Sequence, residues 1–332
     1  MIITADLHLR EESADVVLRE VLPGIFQTCM DTNERDVAIL GDLLHFRYKI
    51  DARIQNAVKD ELKRWTLAGI RVRIIPGNHD QYEVSGRNAL ELFAEIPGVS
   101  VYSVPTWDAD GLWIPYRKDP AAIRAALATP RPPTAPMGGD SYILFMHHGI
   151  KGAWMNDNVQ DGDGLELAEL QPNRWKVILC GHYHKHQKMG ANLWYIGSPW
   201  QTGSNESGQA KGLVQLSGNG IAFVSRQWGP RFHRFELQAG QSLDLRGVST
   251  RDEVRVKTVG AGAEAAAAVL GKQLVEAGLT HHVVTPEVAP TQARLTVPAS
   301  ATLEHYAQAY VTQAETDLDK ARLMAVYREL SA

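Results

Sequence analysis

The sequence predicts an α/β fold: two packed β-sheets with helices on their outer faces, then a small α/β unit and a helical tail. Three observations lead there. Short apolar runs alternate with amphipathic helical stretches early in the chain, as in βαβ units. From Tyr142 on, strand-like runs follow one another and meander, with a hairpin turn at Ser217-Gly218-Asn219-Gly220. After about Leu237 the composition changes to an alanine-rich helical stretch flanked by further strand-like runs.

The elements follow in order. Met1 to Thr4 is a strand that delivers Asp6 and His8. Glu11 to about Asn33 is mostly helical, with Val16, Val17, Leu18, Val21 and Leu22 on its apolar side. Val37-Ala38-Ile39-Leu40 is a buried strand running into Gly41-Asp42-Leu43-Leu44-His45. Ile54, Val58, Leu62 and Trp65 recur at helical spacing within 51–67. Arg71 to Ile75 is a strand ending in Pro76 and Gly77-Asn78-His79-Asp80. Gly86 to Ile96 reads as a helix, Val99 to Ile114 as short strands, and Asp119 to Leu127 as a helix. Pro130, Pro132, Pro133 and Pro136 mark an irregular loop. Tyr142 to Met146 delivers His147, and 151–164 reads as a loop over the site. Trp175 to Cys180 delivers His182 and His184, and strands follow at 193–196, 213–216 and 221–225. The small unit carries strands at 254–259, 282–288 and 293–297 and a helix at 261–277. Leu303 to Leu330 is mostly helix.

Composition limits what the chain can do. Of its 332 residues 44% are hydrophobic and 22% charged, which is ordinary for a globular protein. A net charge of -4 gives no global field for nucleic acid, so any phosphate binding is local. No apolar run is long enough to span a membrane. The first residues lead straight into a motif, so no signal peptide and a cytoplasmic location are expected. Cys29 and Cys180 follow neither metal-ligand nor disulfide spacing and read as buried small residues. Histidine is the informative count: of 12, six fall at strand ends (His8, His45, His79, His147, His182 and His184).

Asp6, His8, Asp42, Asn78, His147, His182 and His184 thus form a mixed oxygen and imidazole set without cysteine. Such a set suits borderline divalent cations. Seven ligands are too many for one ion, whereas two ions about 3.5–4 Å apart, bridged by a carboxylate, use them all. Any one of these histidines taken alone is better read as a satisfied core residue; five motifs in this order are not.

Asp6-x-His8, Gly41-Asp42-x-x-His45, Gly77-Asn78-His79-Asp80, His147 and Gly181-His182-x-His184 resemble the five motifs of the calcineurin-like metallophosphoesterases. The resemblance spans residues 1 to about 225 and implies a four-layer α-β-β-α sandwich. It implies that Asp6, His8, Asp42 and His184 hold one metal, that Asp42, Asn78, His147 and His182 hold the other, and that Asp42 bridges. His79 would contact the scissile phosphate, with Asp80 orienting it. The ions would be two divalent metals, Mn²⁺ first, with Mg²⁺, Zn²⁺ or Fe²⁺ as alternatives. Of the histidine pair at the strand end, His147 directly follows the strand and is taken as ligand; His148 either faces the substrate, or backs the metal ligands or lies at the surface. His186 is placed outside the metal shell.

Three features point within that family toward nucleases. The second motif, with His45 three residues after Asp42, is similar to that of SbcD-type DNA-repair exonucleases, where this histidine is needed for cleavage. Tyr195 to Pro199, followed by Glu206, Gln209, Lys211 and Gly212, resembles the stretch after the last motif in SbcD and in phage recombination nucleases. A small α/β domain follows the catalytic one, as the DNA-capping domain does there. The resemblance therefore implies a compact, phage-like DNA nuclease with domains 1–237 (nuclease), 238–300 (capping) and 301–332 (tail). It also implies a homodimer within a heterotetramer with an SbcC-type coiled-coil ATPase, bound through the tail. Arg10, Arg47, His148 and Lys185 are the substrate-contact candidates, against an alternative as solvated charges. Tyr48, Tyr183 and Trp200 could stack on a base or belong to the core. The rival functions are a phosphodiesterase or phosphatase acting on a small nucleotide or phosphoprotein, and a non-catalytic scaffold. Leu303, Tyr306, Tyr310, Ala314, Leu318, Ala321, Met324 and Tyr327 give the tail one apolar face, packed on the small domain or on the partner.

Overall fold

A computed structural model describes residues 1–83, 86–130, 142–218, 220–238, 240–279, 282–286, 303–313 and 319–331. β1 (Ile2–Thr4) leads through a short turn of 3₁₀ helix into α1 (Ala14–Val16), a π-turn at Val17–Val21, and α2 (Leu22–Thr32). β2 (Asp36–Leu40), α3 (Ala52–Leu67), β3 (Arg71–Ile75) and β4 (Val99–Val101) continue the alternation. β5 (Thr106–Trp107), β6 (Gly111–Ile114), α4 (Pro120–Leu127), β7 (Ile143–His147), β8 (Val177–Gly181), β9 (Gln187–Met189) and β10 (Leu193–Tyr195) follow. The hairpin β11 (Lys211–Ser217) and β12 (Gly220–Arg226) then returns to the first strands.

Two six-stranded sheets result, ordered β12-β11-β1-β2-β3-β4 and β5-β6-β7-β8-β10-β9. Side-chain alternation along the strands assigns each residue to a layer. In β7, Ile143 and Phe145 join Ile3, Ala38, Leu40, Leu179 and Val214 between the sheets, while Leu144 and Met146 turn outward under α4 with Ile123 and Leu127. Val37, Ile39, Val72 and Ile74 face α2 and α3, meeting Ile25, Val58 and Trp65. Each large apolar side chain fully buried this way contributes about 1.5–3 kcal/mol. The outcome is the expected α-β-β-α sandwich. The parallel strands β1, β2 and β3 of one sheet, and β7 and β8 of the other, all end on the same edge, where open α/β sheets place their ligands.

Between the sheets lies one charge that the pattern hides. Arg73 is 2% exposed; its guanidinium pairs with Asp108 at 2.8 Å and Asp110 at 2.5 Å and sits over the Trp113 ring. A buried cation is tolerated because three carboxylates, the third being Asp36 at 3.5 Å, and a ring face meet it.

A third, all-parallel sheet is built from β13 (Phe232–Gln238), β14 (Glu253–Val259) and β15 (His282–Pro286), with α5 (Ala263–Glu276) packing Leu270 and Leu274 on Val254 and Val256. It begins at Phe232, so β13 straddles the position 237 at which the composition changes. Phe232 N donates to Gln201 Oε1 at 2.7 Å, and Arg251 pairs with Glu20, tying this sheet to the sandwich. The tail is two helices, α6 (Leu303–Gln313) and α7 (Lys320–Ser331). The helix expected at Gly86 to Ile96 is only a 3₁₀ turn at Glu91–Glu95: the Asn88 side chain takes up Gly86 O and Leu90 N locally, so the backbone has no need of α-helical bonds there. The strand expected at 293–297, the hairpin residue Asn219, Pro132, Pro133 and Pro136, and the tail positions Ala314 and Leu318 lie outside the described residues.

Candidate metal centre

The site is built by five loops at the carboxyl ends of the strands, and their backbones are unusual. Asp6, His8, Asp42 and His182 all adopt positive φ (54°, 48°, 52° and 99°). Non-glycine residues rarely do so, and such strain is kept where the surrounding structure over-determines it. The first two loops are laced together by Leu9 N to Leu43 O at 3.0 Å and His45 N to Leu9 O at 3.1 Å, which sets His8 beside His45. Three glycines make room. A Cβ on Gly41 would lie 2.2 Å from His147 Nδ1, one on Gly77 2.1 Å from Asp42 Oδ1, and one on Gly181 2.0 Å from Leu40 O.

All seven residues expected to be ligands come together. His8 Nε2 is 2.9 Å from His184 Nε2 and 3.7 Å from Asp42 Oδ2, and Asp42 Oδ2 is 3.5 Å from His147 Nε2. Asn78 Oδ1 lies 3.1 Å from His147 Nε2 and 2.9 Å from His182 Nδ1. Asp6, His8 and His184 offer converging donor atoms, as do Asp6, Asp42 and His147. Asp42 thus stands between the His8 side and the His147 side. A third convergence joins His8 to His45 and His79.

The outward nitrogens are fixed. His147 Nδ1 donates to Leu40 O at 2.7 Å, and His184 Nδ1 faces Glu206 Oε1 at 2.6 Å. Donation from Nδ1 leaves Nε2 as an inward lone pair, which is the tautomer a metal ligand needs. Glu206, 2% exposed, is held by Lys211 at 2.8 Å, and burial alone would raise its pKa, but His184 and Lys211 hold it well below the usual range. Burial lowers His182 to about 3 and takes His8 well below its ordinary value, so both keep their lone pairs at neutral pH. Burial would also lower His147, but Asp42 beside it outweighs that and lifts it to about 9. That pair holds a proton where a cation would fit. Buried, convergent nitrogen and oxygen donors suit a divalent metal, which would displace the proton held by His147 and Asp42.

The remaining expected residues divide. His79 lies over this cluster: its Nδ1 donates to His45 O at 2.8 Å and its ring packs edge-on to His8. His45 Nδ1 is 3.1 Å from His8 Nδ1, its ring stacks on His79, and Arg10 Nη1 donates to its Nε2 at 3.0 Å. These side chains border a cleft of about 190 Å³ with Arg10 and Thr202 at its rim. Asp80 does not orient His79 as expected. Fully buried, it accepts from Leu44 N at 2.9 Å and Gly77 N at 2.8 Å, clamping the second and third loops together. Its pKa rises to about 7 through burial and the nearby Asp42. His148 is also corrected. Strand alternation turns it away from His147; it is 8% exposed, both ring nitrogens lie against the backbone carbonyls of Gly149 and Arg117, and it stacks on Tyr116. Lys185 is paired with Asp157 at 2.8 Å, fastening the 151–164 loop to the last motif. Arg47 is exposed beyond the cleft rim. Tyr183 and Trp200 are core residues, bonded to Asp161 and Leu7 O, whereas Tyr48 is 81% exposed. His186 stacks on Trp194 and Phe223, away from the cluster. Glu206, Thr202 and Lys211 were not among the expected site residues; only their place after the last motif pointed to them.

Among the described residues no helix is long and apolar enough to cross a membrane. No curated protein matches the chain. A similar solved structure is the Pseudomonas putida nuclease MPE, with 18% identity over 58% of this chain and 65% of that one, at a TM-score of 0.28. The chain thus spans less than two thirds of that structure, and so loose a likeness carries no argument about substrate. The profile of the calcineurin-like phosphoesterases matches residues 1–186, more than half of the sequence and all five motif loops. The chain belongs to the calcineurin-like phosphoesterase family, metal-dependent hydrolases of phosphoester bonds.

Proposed function

We propose that the chain is a DNA nuclease that cleaves phosphodiester bonds, as an exonuclease on duplex ends and an endonuclease on single strands. Asp6, His8, Asp42 and His184 would hold one divalent ion and Asp42, Asn78, His147 and His182 the other, with Mn²⁺ as the ion we assign. The observation that carries the nuclease reading is the place of His45. Three residues after Asp42, it reaches the metal cluster, 3.1 Å from His8 and stacked on His79, with Arg10 bonded behind it. This is the histidine that the resemblance to SbcD-type nucleases ties to cleavage.

Two divalent ions in such a site supply neutralisation of phosphate charge and a bound water of lowered pKa. The chain's own groups do the rest. Asp42 and Asn78 fix the spacing of the two halves. Glu206 holds the His184 ring in position. His79 donates its Nδ1 proton to a carbonyl, so Nε2 is the atom that exchanges a proton with the leaving oxygen. Arg10, at the cleft rim, offers a guanidinium to a neighbouring phosphate oxygen.

The small cleft, about 190 Å³, favours the rival reading of a phosphodiesterase for a small nucleotide. One assay separates them: purified protein with linear duplex DNA, single-stranded DNA and a chromogenic phosphodiester, each with Mn²⁺, Mg²⁺ or EDTA. Metal-dependent loss of both DNAs supports the nuclease. Turnover of the small diester with neither DNA cut refutes it.

As part of the same reading, the third sheet is proposed to cap DNA, and the tail to dock on an SbcC-type ATPase in a heterotetramer built on a nuclease homodimer, acting in cytoplasmic DNA repair. Tyr306, Tyr310 and Val326 are exposed on α6 and α7, which suits docking of a helix in a groove. Deleting residues 301–332 should leave hydrolysis of the small diester and abolish co-purification with the ATPase. Retained co-purification would refute the tail's role.

A further inference from the structure

Beside the metal cleft lies a second hollow of about 320 Å³, and we infer that it is a nucleobase subsite for the nucleotide next to the scissile phosphate. This rests on the phosphodiesterase reading above. Its floor is Leu9, Leu44, Ile50 and Ile54, and Phe46 forms a wall. Leu9 and Leu44 pair across the same backbone bridge that sets His8 beside His45. The two segments that send His8 and His45 into the cleft send Leu9 and Leu44 into the hollow. Arg10 borders both cavities, which makes them neighbours.

The chemistry of the lining selects the occupant. Phe46 is 45% exposed, an aromatic ring left largely in water and packed edge-on to His45 at 4.8 Å. Such a ring gives a stacking platform to a flat partner. The rim also carries Glu11, Glu12 and Asp51 beside Arg10 and Lys49. Glu12 pairs with Arg10 at 3.4 Å and Asp51 with Arg53 at 2.5 Å. Three carboxylates repel a phosphate, yet they accept hydrogen bonds from exocyclic amines. The hollow therefore takes an uncharged, flat ring with polar edges, and the phosphate stays on the metal side. Its volume is at the low end for small-molecule sites, room for a single nucleoside-sized group and not for a duplex.

The test is binding of a short single-stranded oligonucleotide and of its fully abasic counterpart, followed by fluorescence anisotropy in EDTA so that nothing is cleaved. The native protein should prefer the natural oligonucleotide. Phe46→Ala should cut that preference about 5- to 150-fold, the worth of one stacked base, and Phe46→Tyr should restore it. Equal affinity of the native protein for the two ligands, or an equal loss on both in Phe46→Ala, overturns the subsite. A separate reaction, hydrolysis of methyl p-nitrophenyl phosphate by the native protein with Mn²⁺, reports on the phosphodiesterase reading alone, because that ester has no base.

Discussion

Gly77→Ala is a small change whose consequence can be worked from the structure. Gly77 is not in the left-handed region, so alanine meets no backbone strain there; a Cβ would instead lie 2.1 Å from Asp42 Oδ1 and 2.5 Å from Asp42 N. Real Cβ atoms come no closer than 3.0 Å, so the carboxylate must retreat by about 1 Å, and a misplacement of that size at a reacting centre costs about 100-fold. Asp42 cannot retreat freely, because His79 N donates to its Oδ1 at 2.8 Å and the residue is 1% exposed. Relief by backbone shift would loosen the clamp from Gly77 N to Asp80 at 2.8 Å, and overpacking of this kind costs about 1–3 kcal/mol. The expected result is a folded protein with Tm lowered by a few degrees, weakened metal retention and turnover of a chromogenic phosphodiester down about 100-fold. Elemental analysis, a thermal melt and initial rates measure these. Gly162→Ala, where a Cβ meets nothing within 4 Å, is the control and should change none of them. A Gly77→Ala protein with full metal content and native turnover would refute the placement of Asp42 at the reacting centre.

The other predictions bear on the same site. Asp42→Ala should lose both metals and activity together, against two ions per native chain under Mn²⁺ saturation; elemental analysis finding one ion in the native protein sinks the binuclear assignment. His79→Ala, and likewise His45→Ala, should keep both metals and lose about 10²–10⁴-fold in turnover, and a variant that instead loses metal moves the residue into the ligand set. Glu206→Gln removes the carboxylate 2.6 Å from His184 and should weaken metal affinity about 10–100-fold in a titration, with Lys211 losing its ion pair but keeping its bonds to His184 O, Ser198 and Gln209; unchanged affinity would make Glu206 a packing residue only. In the metal-free protein His147 is raised to about 9 and Asp80 to about 7. A raised pKa stabilises below the unfolded value and is lost as pH climbs through the folded one, so Asp80 should make Tm fall between about pH 4 and 7 and His147 between pH 6.5 and 9, and a profile in EDTA that is flat over the upper window would contradict the pairing of His147 with Asp42.

The metal set was legible because the chemistry fixes residue types and the fold fixes where they sit. Carboxylate, amide and imidazole groups at the ends of Ile2–Thr4, Asp36–Leu40, Arg71–Ile75, Ile143–His147 and Val177–Gly181 have few other uses. The layers were legible too, since continuous apolar runs in β7 and β8 mark both faces as buried. Asp80 shows where that legibility ended. Its adjacency to His79 suggested a hydrogen bond to the ring, but a carboxylate at that point has two closer backbone donors, Leu44 N and Gly77 N, one of them 36 residues away. His148 failed on the opposite ground: one step along a strand reverses the face, so a second histidine could not share the first one's direction.

What could not be read is support that crosses from one loop to another. Arg73 looks like the exposed partner of Arg71 in an alternating strand, and its burial depends on carboxylates that come together only in the fold, Asp108 and Asp110 from the facing sheet and Asp36 from the adjacent strand. The positive φ of Asp6, His8, Asp42 and His182 has only a weak signature in residue type, because aspartate and histidine are enriched at positive φ yet far commoner in ordinary conformations. These four strained residues are tolerated through bonds that reach across the site, such as His182 N to Asp6 at 3.1 Å and His79 N to Asp42 at 2.8 Å. The same carboxylates that would hold the metals therefore also hold the loops. Removing either one perturbs metal binding and backbone together, whereas Glu206 stands outside the metal cluster, bonded to the outer nitrogen of His184, to Thr202 and to Lys211. A loss of metal affinity in Glu206→Gln without a matching loss of Tm would separate ligand orientation from loop architecture, which no substitution at Asp6 or Asp42 can do.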